Sequence, residues 1–250
     1  MSLDPLVLLA LAGAGMLAGF VDAIAGGGGL IALPALLAAG VPPIAALGTN
    51  KLQSVIGTGA AALTYWRKGF VSLRVLVVAI ACTFAAAFIG AFVVKRIDTS
   101  LLQIAVPIAL VAIAVYFLFA PKLTDQDSHA RLRFEWFVPI MGALIGFYDG
   151  IFGPGTGSFL TMGFVALFGL GITRASGNTK MLNLASNFGA LALFIPSGDV
   201  VWVAAGAMAA GQLIGGYLGA LTGIRFGARL IKPLVVAISL VLAIKLLFFR

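Results

Sequence analysis

Uncharged apolar stretches of about 20 residues recur along this chain, for example 75–94 and 200–224. As an α-helix, that length crosses roughly 30 Å of hydrocarbon. The hydrophobic share is 62% and the charged share 10%, against about 45–50% and about 25% in soluble globular domains. A water-soluble fold of 250 residues has nowhere to bury that much apolar surface. The short alternating segments of an outer-membrane barrel are absent. The fold class read from the sequence is an all-α polytopic membrane protein.

Hydropathy places eight full spans at 5–25, 44–66, 71–94, 101–120, 136–152, 177–196, 200–221 and 230–249, with two shorter apolar pieces at 30–40 and 158–170. The first span lacks a basic flank before it, so it is expected to be a retained helix and not a cleaved leader. PKLTDQDSHARLRFE, at 121–135, is the one stretch that reads as a soluble loop. The net charge of +8 comes from basic residues lying singly or in pairs at segment ends, not from a patch interleaved with aromatics. That distribution fits cytoplasmic loops facing anionic lipid, with no nucleic-acid partner. A single cysteine, Cys82, leaves no internal disulfide and no cysteine-based metal site. The single histidine, His129, sits in the polar linker, so no histidine-ligated metal, haem or other cofactor is expected within the membrane.

The second half echoes the first. GTNK at 48–51 matches GNTK at 177–180, and the same offset of 129 relates Gly69 to Gly198, Gly90 to Gly219 and Leu101 to Leu230. Asp22 and Asp149 are related by 127. The chain therefore reads as one transporter domain, 1–250, with repeat one at 1–120, a cytoplasmic linker at 121–135 and repeat two at 136–250. If each glycine-broken region is a re-entrant hairpin, the repeats are inverted. One side then holds Arg67, Lys68, Arg74, Lys122, Arg131, Arg133, Arg174, Arg225, Arg229 and Lys232, and the other Lys95, Arg96, Lys245 and Arg250. The excess of Lys and Arg on cytoplasmic loops favours this arrangement over parallel repeats, and it puts both termini outside.

Both repeats place an aspartate in an apolar stretch and follow it with a glycine cluster: Gly26, Gly27, Gly28 and Gly29 after Asp22, then Gly153, Gly155 and Gly157 after Asp149. A helix broken in hydrocarbon leaves N–H and C=O groups that only protein or a water-filled cavity can receive. Half-helix N-termini in inverted-repeat transporters turn such donors toward an anionic substrate near the midplane. The alternative is that the glycines simply allow close helix packing. Polar residues open the spans that follow: Asn50, Lys51, Gln53 and Ser54 in one, and Asn178, Thr179, Lys180, Asn183 and Asn187 in the other. Lys51 and Lys180 either draw in an anion or snorkel to the headgroups. Asp22 and Asp149 admit three roles: proton acceptor for coupling, helix cap, or partner of the lysines.

Other motifs carry less. GAGMLA at 13–18 fits a dinucleotide fingerprint, but no strand precedes it. GPGTGS lacks the lysine of a phosphate loop. Asp22 with Asp149 lacks the GxGD partner motif of an intramembrane protease. The expectation is a chain that is not an enzyme.

GFVDAIAGGGGLIALPALLAAGVPPIAALGTNKLQS, its echo GFYDGIFGPGTGSFLTMGFV with RASGNTKMLN, and the YWRKG turn at 65–69 resemble the TauE/SafE sulfite exporter family over essentially the whole chain. The resemblance implies a permease of the inner membrane that moves small organosulfur or related anions such as sulfite, sulfoacetate or other sulfonates, and export is the direction expected. Its partners would be that small anion and the lipid bilayer, with proton coupling possible and the oligomeric state open. An uptake permease for a similar anion and a non-transporting membrane scaffold are the alternatives.

Overall fold

The computed structural model describes residues 3–96, 124–231, 233, 234 and 237. The described residues hold no strand; their helices include α1 (Pro5–Ala25), α2 (Gly29–Ala38), α3 (Pro43–Arg67), α4 (Leu73–Val94), α5 (Phe134–Ile151), α6 (Thr156–Ala166), α7 (Ile172–Phe194) and α8 (Trp202–Phe226), and residues 228–231 are helical as well. Of these, α1, α4, α5 and α8 are long and apolar enough to cross a membrane. Helices α3 and α7 have 25 and 23 residues, and their GTNK and GNTK polar runs lower their hydropathy. The expected span at 101–120, most of the one at 230–249, and the basic residues Lys122, Lys232, Lys245 and Arg250 lie outside the described residues.

Local chemistry explains the ends. Asp4 caps α1 by accepting from Leu6 N at 2.7 Å, and Pro5 occupies the first helical position, where its missing N–H costs nothing. At the other end Gly26 turns left-handed, with φ 79°, and its N–H returns to Asp22 O. Helix α2 then has only ten residues, about 15 Å at 1.5 Å per residue, too short to span. It folds back along α1, because its Leu33 and Leu36 share one apolar cluster with Leu11. Helix α6, with 11 residues, starts after Gly155 at φ 83° and folds back on α5, with Met141 Sδ lying against Gly163.

Small residues set how the long helices meet. Gly15 and Gly19 of α1 lie against Met208 and Gln212 of α8, while Gly211 and Gly215 of α8 lie against Ala12 and Met16. Residue numbers rise together, so α1 and α8 run parallel with their backbones nearly touching. The pair α5 and α4 does the same: Gly142 and Gly146 meet Thr83, and Gly150 meets Ala87. The sequence offsets of 127 and 129 convert one contact set into the other, carrying Gly15 to Gly142, Gly19 to Gly146 and Thr83 to Gln212. Thus the first helix of each half packs on a long helix of the opposite half, α1 on α8 and α5 on α4.

Helix α3 joins α1 and α8, placing Gly57 against Gln212 and the Tyr65 hydroxyl on Ala23 O. Helix α7 joins α4 and α5, with Gly189 against Phe84. Between the two groups the direction reverses. The start of α3 meets the end of α7, where Gly48 approaches Asp199 and Phe194, and the end of α3 meets the start of α7, where Tyr65 approaches Gly177.

Large apolar side chains face outward, among them Leu6 at 74% exposure and Trp136 at 71%, while Gln53, Thr83, Thr179 and Ser186 are wholly inside. Lipid tails are as apolar as leucine, so helix association rests on close packing and polar contacts and not on expelling water. That is why glycines and buried polar side chains sit among the apolar residues where the helices meet.

The expected start of the 177–196 span is five residues late, because α7 begins at Ile172. The described part of the linker supplies the reason. Asp127 accepts from Gly171 N at 2.8 Å and pairs with Arg174, and Asp125 accepts from Thr173 Oγ1. Two carboxylates at a helix N-terminus satisfy its free donors and its positive end. Residues that read as a loop by polarity, ITRAS, are held helical from outside the segment.

Candidate functional site

Helices α1 and α5 each end at an aspartate-glycine break, and the two breaks touch. A Cβ placed on Gly26 would overlap Gly157 Cα and lie 2.6 Å from Ser158 N. Ser158 Oγ donates to Ala25 O across the same contact at 2.7 Å. Two chain breaks from opposite halves therefore meet backbone to backbone, and only residues without side chains fit there.

Two buried ion pairs flank this junction. Lys51 Nζ of α3 is 2.7 Å from Asp149 Oδ2 of α5, and Lys180 Nζ of α7 is 3.1 Å from Asp22 Oδ2 of α1. Each lysine pairs with the aspartate of the other half. The two lysines are each 1% exposed, Asp149 2% and Asp22 9%, and among the described residues no other charged side chain is buried. Desolvating two ions usually cancels most of their attraction, so such pairs are poor stabilisers; ionisable groups at membrane depth are instead typical of transport pathways.

The pairs are not alike. Asp22 accepts from Gly28 N at 3.3 Å and from Thr58 Oγ1 at 3.4 Å, and Lys180 also donates to the main-chain carbonyl of Asp22. Asp149 Oδ1 accepts from Thr156 Oγ1 at 2.7 Å. Its Oδ2 receives no well-angled hydrogen bond, although the Lys51 ammonium lies close by. Distance makes this an ion pair; direction keeps it from being a good hydrogen bond.

Between the breaks lies a polar cavity of ≈ 20 Å³, room for about one water and too small for a multi-atom anion. Nine of the residues expected at the site line it: Asp22, Gly26, Gly29, Asn50, Lys51, Asp149, Gly153, Gly157 and Asn183. The others lie behind the wall. Gly28 gives its N–H to Asp22, Gly155 starts α6, and Gln53 Nε2 donates to Asn50 Oδ1 at 2.7 Å. Asn178 Nδ2 donates to Arg174 O, Thr179 Oγ1 lies 3.1 Å from Thr161 Oγ1, and Lys180 reaches Asp22 from outside the cavity. Gly27 forms part of the turn, its carbonyl accepting from Leu30 N.

Ser54, Thr58, Thr156 and Asn187 also line the cavity, and Thr58 and Thr156 went unread in the sequence. A signal existed for Thr58. Lys51, Ser54 and Thr58 follow the i, i+3, i+7 spacing of one helix face, and Lys180, Asn183 and Asn187 repeat it. Thr156 had only its place at the start of α6 to mark it.

Comparison with known proteins gives the family. Residues 11–246 match the family described as Sulfite exporter TauE/SafE. The chain belongs to the TauE/SafE family. A Sinorhizobium relative named "Probable membrane transporter protein ORF9" is 45% identical over 94% of this chain and 90% of its own length. "Probable membrane transporter protein YfcA" of Escherichia coli strain K12 is 42% identical over 98% of this chain and 91% of its own. A Haemophilus influenzae "Probable membrane transporter protein" is 41% identical over 94% and 92%. No solved structure matches. This member of the TauE/SafE family is a multi-pass helical membrane transporter protein.

Proposed function

We propose that the chain is a secondary transporter, not an enzyme, that exports a small anion across the cytoplasmic membrane, with sulfite, sulfoacetate and other sulfonates as the first cargoes to test. The observation that carries this reading is the junction itself: two chain breaks, one at the end of α1 and one at the start of α6, meeting at Gly26 and Gly157 beside a polar cavity, with two lysines buried next to it. A scaffold needs neither the breaks nor the charges. The cavity volume corresponds to a closed state, so cargo enters only when the halves move apart.

The full architecture proposed is eight spans plus two half-helices in two inverted repeats, with the linker cytoplasmic and both termini outside. Two observations support it. Equivalent helices α3 and α7 run in opposite directions. Among the described basic residues, Arg67, Lys68, Arg74, Arg131, Arg133, Arg174, Arg225 and Arg229 gather at the end that holds the linker, leaving Lys95 and Arg96 at the other, where Lys95 pairs with Asp199. Such an excess marks the cytoplasmic face.

Alkaline phosphatase fused after Arg250 is therefore expected to be active, and a fluorescent protein fused there dark. The reverse result refutes the stated orientation. For function, full-length protein in liposomes loaded with labelled sulfite or sulfoacetate is expected to release them faster than empty liposomes do. Release no faster than from empty liposomes, across a panel of sulfonates, sulfite, thiosulfate and carboxylates, leaves the scaffold reading standing.

A further inference from the structure

Among the described residues the buried core holds two lysines and two aspartates, so they leave no spare positive charge. Its natural anion donors are also taken: Gly28 N–H and Thr156 Oγ1 both serve the aspartates. An anion arriving at this site as it stands would meet two carboxylates already occupying the places of an anion. We infer that Asp149 acts as a resident competitor of the cargo, which Lys51 can bind only after Asp149 takes up a proton, so that each anion carried travels with one proton. This rests on the small-anion reading above and deepens it.

The residues favour the Lys51–Asp149 pair over its counterpart. Protonating Asp22 leaves Lys180 held by the Asp22 main-chain carbonyl, and Lys180 does not line the cavity. Protonating Asp149 frees Lys51, for which no second acceptor is found among the described residues, and Lys51 does line the cavity. Asp149 Oδ2, which lacks a directed donor, is the oxygen that forms the new O–H bond. The proton comes from water on the open side, the Lys51 ammonium keeps its own protons, and the anion takes the place of the carboxylate. Loss of that proton on the far side restores the ion pair and expels the cargo. The groups facing Asp149 are Lys51 from α3 and Thr156 from the start of α6, while its neighbour Tyr148 donates to Pro154 O. Around Asp22 they are Lys180 from α7 and Thr58 from α3.

Because proton and anion move in the same direction, one proton with one monovalent anion is electroneutral. Anion affinity rises as pH falls, by about tenfold per pH unit for one linked proton. Export then runs only when the cargo's outward gradient exceeds about tenfold per unit of any inward pH gradient.

The test uses full-length protein and methanesulfonate, a monoanion whose own charge does not titrate in the range. Wild type is expected to bind it about tenfold more weakly at pH 8 than at pH 7, and Asp149→Asn to bind it at least tenfold more tightly than wild type at pH 8, with no pH slope. The gain from Asp22→Asn should be smaller. In liposomes, wild-type methanesulfonate flux should ignore an imposed membrane potential, whereas any Asp149→Asn flux should follow it. Should Asp149→Asn fail to fold, dye-reported proton uptake by the weakly buffered wild type still decides the matter: one proton per bound anion supports the inference, and none overturns it. A pH slope that survives in Asp149→Asn, or wild-type flux driven by the potential, also overturns it while leaving the anion reading intact. Absence of methanesulfonate, sulfite and sulfate binding in every variant overturns both together.

Discussion

Gly26→Ala is expected to abolish transport and to destabilise the protein by about 2–5 kcal/mol. Two costs combine. A non-glycine residue at φ 79° loses roughly 1–2 kcal/mol in left-handed backbone, and overpacking against a neighbouring backbone adds about 1–3 kcal/mol. Two controls separate them. Gly69 has φ 81° with nothing within 4 Å of an added Cβ, so Gly69→Ala should show the backbone cost alone and keep its flux. Gly157 has no positive φ, but its Cβ would strike Gly26; Gly157→Ala should therefore lose flux with a smaller stability loss than Gly26→Ala. The measurements are thermal unfolding of each purified variant and anion flux in liposomes. If Gly157→Ala transports as well as Gly69→Ala, the contact of the two breaks is not part of the pathway.

Lys51→Met is expected to be the most damaging of the charge changes for stability. It leaves Asp149 buried without a counterion, and removing one partner of a buried pair costs about 3–5 kcal/mol. At roughly 2–4 °C per kcal/mol for a chain of this length, the melting temperature falls by about 6–20 °C. Adding Asp149→Leu should recover most of that loss, because replacing both ions with apolar groups is often neutral. Thr156 stays satisfied in the double variant, since its hydroxyl can also donate to Gly153 O. Lys51→Met with Asp22→Leu should recover nothing and instead leave two unpaired ions, Asp149 and Lys180. Both doubles should be inactive in flux assays. Equal recovery in the two doubles would mean the lysines are not paired across the halves as the structure has them.

The contrast between these variants marks where the sequence stops. Membrane class, helix spacing, the matched breaks and the polar openings of α3 and α7 were all legible, because each follows from a local property. Hydrocarbon admits only uncharged runs of a certain length, glycine clusters end helices, and matching motifs at a fixed offset in the chain mark matching segments. The helix starting at Ile172 was not legible in ITRAS, because its caps come from Asp125 and Asp127, more than forty residues earlier.

Nor does any sequence rule say which aspartate a lysine will meet. Asp22 and Lys51 lie in the same half and are the simpler guess, yet Lys51 pairs with Asp149 and Lys180 with Asp22. That choice was made by packing. Helix α1 leans on α8 and α5 on α4 through glycines, which carries each aspartate toward the opposite half. By itself the sequence placed two aspartates and two lysines within apolar segments and left open whether the lysines are buried or reach the headgroups. Only the tertiary structure decided that they neutralise one another in crossed pairs around a cavity, because an ion pair depends on a distance of about 3 Å, and helices distant in the chain set that distance.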